Sequence, residues 1–136
     1  MAYKIKKAPH IEDQLEIQDK DETLTIDVDL YVDDVLGRID DVRASLGSAR
    51  QKVQELKRTE AGRQEISQAY QALSSATVAL FELIFGQDQT QKIIEFYGGR
   101  TAAALGDLLP YVTGVILPAV KSAQEELSKR YTAWNL

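Results

Sequence analysis

The chain has 136 residues, 44% of them hydrophobic, with a formal net charge of −5 and no cysteine. That length suits a single domain with a core of its own, and the missing thiols exclude disulfides, cysteine zinc sites and thiol catalysis. Met1 to Lys7 is basic with no apolar stretch behind it, so it does not read as a signal peptide.

The charge is unevenly divided. Residues 11–41 hold Glu12, Asp13, Glu16, Asp19, Asp21, Glu22, Asp27, Asp29, Asp33, Asp34, Asp40 and Asp41 against Lys20 and Arg38 alone, a local balance of −10. The first ten residues carry +3. An acidic lobe of this strength repels nucleic acid and anionic membrane and favours a basic partner, besides serving as a solvated face.

Residues 1–13 show no clear period and read as an extended or mobile arm. Residues 14–136 read as a single domain, with a hairpin over 15–30 and a helical body over 31–134. Leu15 and Ile17 face one way in a short first strand, and Asp19-Lys20-Asp21-Glu22 supplies a polar turn. Leu24, Ile26, Val28 and Leu30 then alternate with Thr23, Thr25, Asp27 and Asp29, the mark of a strand with one apolar face. A lone hairpin is marginal in water, so that face must lie on helices or on another chain.

Near Tyr31 the period changes. Val32, Val35, Leu36, Ile39, Val42, Leu46, Ala49, Val53 and Leu56 advance by threes and fours and predict one amphipathic helix. Asp33 and Asp34 suit its first turn, and Gly37 and Gly47 each weaken it by about 1 kcal/mol relative to alanine. A second helix begins near Thr59 and carries Ile66, Tyr70, Leu73, Ala76, Leu80 and Ile84 on one face. Towards its end Val78, Phe81, Leu83 and Phe85 make it apolar all round, which places that end in a core or under a partner.

Gly86 is placed to take a left-handed conformation and stop this helix. Asp88 with Gln91 has the spacing of a capping box for a short helix over Gln89–Tyr97, which Gly98-Gly99 ends. The last segment shows Leu105, Leu108, Val112, Ile116, Val120, Ala123, Leu127, Tyr131 and Trp134. Pro110 and Pro118 predict a break near 109 and a kink near 117. Residues 102–120 are almost continuously apolar, but Asp107, two prolines, two glycines and sparse basic flanks favour a buried helix pair over a membrane span. The fold class is therefore mainly α (α+β), an N-terminal hairpin followed by a bundle of three to five helices.

Few residues advertise chemistry. The aspartates at 27, 29, 33, 34, 40 and 41 lack the spacing and glycine of a calcium loop. His10 is the only histidine and lies in the arm, which leaves a triad, a zinc helix and a histidine acid–base pair without parts. Gly98-Gly99-Arg100-Thr101 lacks the pattern of a phosphate loop and reads as a helix stop and restart. Lys52, Lys57, Arg58 and Arg63 form a modest basic zone without the aromatics that stack on bases, and it is equally suited to the acidic lobe of a neighbouring copy. Trp134 is either a packing anchor or an interface residue. No catalytic, metal or cofactor residues are expected.

Leu24-Thr25-Ile26-Asp27-Val28-Asp29 leading directly into a helix, the break Phe85-Gly86-Gln87-Asp88-Gln89-Thr90, and Lys92-Ile93-Ile94-Glu95-Phe96-Tyr97-Gly98 before a final helix carry a resemblance. Over about residues 23–123 the chain resembles the small tail assembly chaperones of long-tailed bacteriophages, more narrowly those of phages and prophages of Gram-positive hosts. The prolines at 110 and 118 and the tail Glu125–Leu136 lie outside that pattern. The resemblance implies a non-enzymatic role in the host cytoplasm: binding the tape-measure protein, keeping it soluble and recruiting tail-tube subunits. A chaperone of long amphipathic helices needs an apolar groove with a charged rim, for which Val78, Phe81, Phe85, Ile93 and Phe96, rimmed by acids, are the candidates, with Trp134 as a further partner-binding residue. A homo-oligomer is compatible with this reading. The alternative is a structural head–tail or tail component of the virion that assembles into a ring through its hairpin.

Overall fold

A computed structural model describes residues 2–5, 7, 10–59 and 62–132, with side chains described through residue 130. Two antiparallel strands, β1 (His10–Asp19) and β2 (Glu22–Tyr31), pair in register from His10 opposite Tyr31 to Asp19 opposite Glu22. Lys20 and Asp21 make the turn, and Lys20 takes φ 54°. Two-residue hairpin turns require such a positive φ to match the strand twist. On the inner face Ile26, Val28 and Leu30 of β2 are buried, while Ile11, Leu15 and Ile17 of β1 are half-buried.

The strand starts at His10, so residues 10–13 belong to the hairpin and not to an arm. Ile11 continues the apolar alternation of Leu15 and Ile17 across Asp13, which interrupts the row in sequence. In space the Tyr111 hydroxyl donates to Asp13 Oδ2 at 2.7 Å, giving the carboxylate a partner on that face.

The helix expected from Val32 to Leu56 divides at Gly37-Arg38 into α1 (Val32–Leu36) and α2 (Ile39–Arg58). The division lets Val35 enter the main core while Val32 packs with Ala123 and Leu127. Helix α3 (Arg63–Phe85) packs along α2, and its apolar end lies under the hairpin and beside α4 (Gln87–Phe96).

Gly86 reverses the chain alone. Its φ of 81° is positive, but ψ of 166° puts it outside the left-handed helical region, in space open essentially to glycine. Its N–H bonds Glu82 O and its carbonyl accepts the Thr90 N–H, both at 3.0 Å, so one residue ends α3 and opens α4. The expected capping box does not form: α4 starts at Gln87 with no side-chain cap, and Gln91 donates instead to Glu95 Oε1 at 3.3 Å. Asp88 falls inside the first turn, where its charge still suits the helix dipole. The stop after α4 is built from glycines with φ of 62° and 81° at Gly98 and Gly99, and α5 (Thr101–Tyr111) follows at once.

The final helices differ most from expectation. There is no break near 109, and no separate pair. Helix α5 runs through a widened π turn (Val112–Ile116) into α6 (Leu117–Thr132). The apolar row Leu105, Leu108, Val112, Ile116 and Val120 is buried along one side. After Leu108 its steps of four run ahead of the 3.6-residue period, and a wider turn brings the row back into phase. The same turn gives room to Pro118, whose ring crowds the preceding turn and whose nitrogen donates no hydrogen bond. Leu117 N–H bonds Val112 O in the widened pattern, and the Thr113 hydroxyl donates to Leu109 O at 3.0 Å beside Pro110. The resulting helix over Thr101–Arg130, 30 residues with a window of mean hydropathy 1.6, is long and apolar enough by length and composition to cross a membrane. Its buried row, however, joins the same core as the hairpin and α3.

Candidate functional site

The residues expected to line a groove are mostly core. Phe81 and Ile93 are fully buried and Phe85 is buried, with Phe81 and Phe85 meeting edge to face at 5.8 Å. Val78 and Phe96 keep partial exposure, and Phe96 packs against Tyr97 at 5.9 Å. The over-apolar end of α3 is covered by the chain itself, because α4 and the hairpin fold onto it. Trp134 lies outside the described residues.

An open apolar groove does exist, elsewhere. Helix α2 and the α5–α6 helix both pack on the core while their own mutual contact is slight, which leaves a furrow between them. Two hollows of about 540 and 180 Å³ share Arg43, Thr113 and Leu117 and so form one channel. Its floor is Leu46, Leu80 and Val112, with Ile39 at one end and half-buried Leu117 where the two hollows meet. Arg43 and Arg50 stand on the α2 side and Lys121 on the α6 side. None of these three cations has an ion-pair or hydrogen-bond partner among the described residues. Asp40 is the acid on the lining.

This groove is not legible in the sequence because its walls come from segments about 70 residues apart. Gly47 lines the wall, and a Cβ there would meet nothing within 4 Å. An apolar floor with charged walls suits an amphipathic helix laid into the furrow, its apolar face down and its carboxylates towards the arginines.

Two polar clusters offer other chemistry. On the outer hairpin face His10 stacks on Tyr31, its Nδ1 lies 2.7 Å from Asp29 Oδ1, and its Nε2 lies 3.4 Å from Glu12 Oε1. His10 is therefore part of a strand, not of the arm. These three donors lie within 4.8 Å of one another and could hold a metal ion, but both ring nitrogens already face carboxylates and the carboxylates are exposed. Closed zinc sites instead gather four protein ligands.

The second cluster surrounds a hollow of about 310 Å³ between the tip of β1, the end of α4 and α5, lined by Asp19, Phe96, Tyr97, Arg100 and Asp107. The Tyr97 hydroxyl donates to Asp107 Oδ2 at 2.9 Å. Burial, with that hydrogen bond and the nearby carboxylate charge, pushes Tyr97 up to about 12. A phenol held in its neutral form is a structural donor, not a base or nucleophile.

The chain matches no family model, no curated protein and no solved structure.

Proposed function

We propose that this chain is a non-enzymatic protein-binding adaptor, a chaperone of phage tail assembly that holds amphipathic helices of the tape-measure protein and helps recruit tail-tube subunits in the host cytoplasm. The observation that carries the binding role is the furrow between α2 and α5–α6, an apolar floor flanked by Arg43, Arg50 and Lys121 without partners among the described residues. The phage setting rests on the resemblance at Leu24–Asp29, Phe85–Thr90 and Lys92–Gly98.

The test is co-expression with a tape-measure protein, the long helical product of a neighbouring reading frame, followed by pull-down. Wild-type chain captures it in soluble form. The double variant Arg43→Glu, Arg50→Glu changes exposed side chains, so its helical circular dichroism stays unchanged while capture falls by about tenfold or more, as two reversed charges at one interface predict. Capture by the double variant at the wild-type level removes the groove, and failure of the wild type to capture removes the chaperone reading.

A further inference from the structure

The hairpin and the N-terminal arm are complementary in three respects, and the complement is not satisfied within one chain. First, the sheet has only two strands among the described residues, so each strand has an open edge. Strand β2 packs on α1, α3 and α4, whereas β1 touches α6 and is the peripheral strand. No backbone hydrogen bond joins the outer edge of β1 to another element among the described residues. One outward donor, the Gln14 N–H, is taken by Asp13 Oδ1 at 2.9 Å. Open edges of this kind are templates for another strand.

Second, the two faces of β1 match the two faces of the arm. The inner row of β1, Ile11, Leu15 and Ile17, is only partly buried, while Ile26, Val28 and Leu30 on the same face of β2 are buried. The outer row carries Glu12, Gln14 and Glu16. In the arm, Tyr3 and Ile5 alternate with Lys4 and Lys6, so an extended strand presents apolar groups on one side and ammonium groups on the other. Set beside β1, one side completes the apolar row and the other meets the carboxylates.

Third, the arm is not using its apolar groups within its own chain. Tyr3 and Ile5 are 92% and 83% exposed, far above the other exposed large hydrophobics of the described residues, Val115 and Tyr70.

We infer that the arm of one copy adds as a third strand to the outer edge of β1 in a second copy of this chain. The carboxylates along β1 repel an identical β1, which disfavours edge-to-edge pairing of two hairpins and reserves the edge for the basic arm. This contact is independent of the furrow between α2 and α5–α6, which lies on other elements.

Sedimentation of the full chain over a range of concentrations tests it, in low and in high salt. Wild type should exceed the 15.2 kDa of one chain at high concentration, and salt should weaken the association. Tyr3→Asp with Ile5→Pro adds a charge and removes a backbone donor at exposed positions, so it should leave the circular dichroism unchanged and weaken association by about tenfold or more. Lys4→Glu with Lys6→Glu should do the same. A wild type that stays monomeric throughout overturns the inference, as does assembly of both variants at the wild-type concentration.

Discussion

Tyr111 joins parts of the chain far apart in sequence: its hydroxyl on the final helical segment donates to Asp13 on the first strand at 2.7 Å. Tyr97 does the same over a shorter span to Asp107. In both, burial first and the hydrogen bond to the carboxylate second raise the pKa above the ordinary phenol value. A raised folded-state pKa means that folding favours the protonated form. The resulting stability is complete below pH 10.0 and is lost as pH rises through the folded value, about 12 for Tyr97. Urea denaturation at successive alkaline pH values should therefore show stability falling across that window. Tyr111→Phe should cost about 1 kcal/mol at neutral pH, the usual worth of one such bond, and should flatten part of the alkaline loss. An unchanged midpoint for Tyr111→Phe would mean that Asp13 and the hydroxyl are equally well served by water.

At the scale of elements, α4 is the lid that turns the apolar end of α3 into core. It is short, with ten residues, and isolated helices of that length are marginal. Its docking comes chiefly from Ile93, fully buried among β2, α3 and α5, while Phe96 on the same helix is half-buried beside Tyr97. Ile93→Ala should accordingly lose about 2–5 kcal/mol, the range for deleting a buried aliphatic side chain. Phe96→Ala should lose clearly less. Thermal or urea unfolding measures both. Equal losses would show that Phe96 is as deeply held as Ile93 and that the α4 surface is closed along its whole length.

For the whole molecule, the division of charge outweighs its sum. The lobe over residues 11–41 has a balance of −10 in a chain of net −5, so the acids crowd on the hairpin and the first helices. Among the described residues the ion pairs include His10 with Glu12 and Asp29, and Arg130 with Glu126. Screening should relieve more repulsion than attraction, so moderate salt should raise the free energy of unfolding by about 0.5–1 kcal/mol. Urea titrations on the Tyr3→Asp, Ile5→Pro variant keep self-association out of that measurement. Salt that lowers stability would mean that the acids are locally neutralised in the fold.

Much of this architecture was legible in the residues alone. Period-two alternation at Leu24–Leu30 and steps of three and four from Val42 to Leu56 report on local geometry, and the hairpin followed by helices came directly from them. Glycines at 86, 98 and 99 marked real reversals, because positive φ is a property of one residue and its missing Cβ. Tertiary contacts decided the rest. The continuity of the final helix through Pro110 depended on a row of side chains finding a core, and local rules for proline do not see that row. Whether Phe81, Phe85 and Ile93 are groove or core depended on what folds over them, since an apolar helix face looks the same in sequence under either cover. The furrow between α2 and α5–α6 exists only because two distant helices stand on a common floor without closing on each other, a distance that no spacing within either segment records.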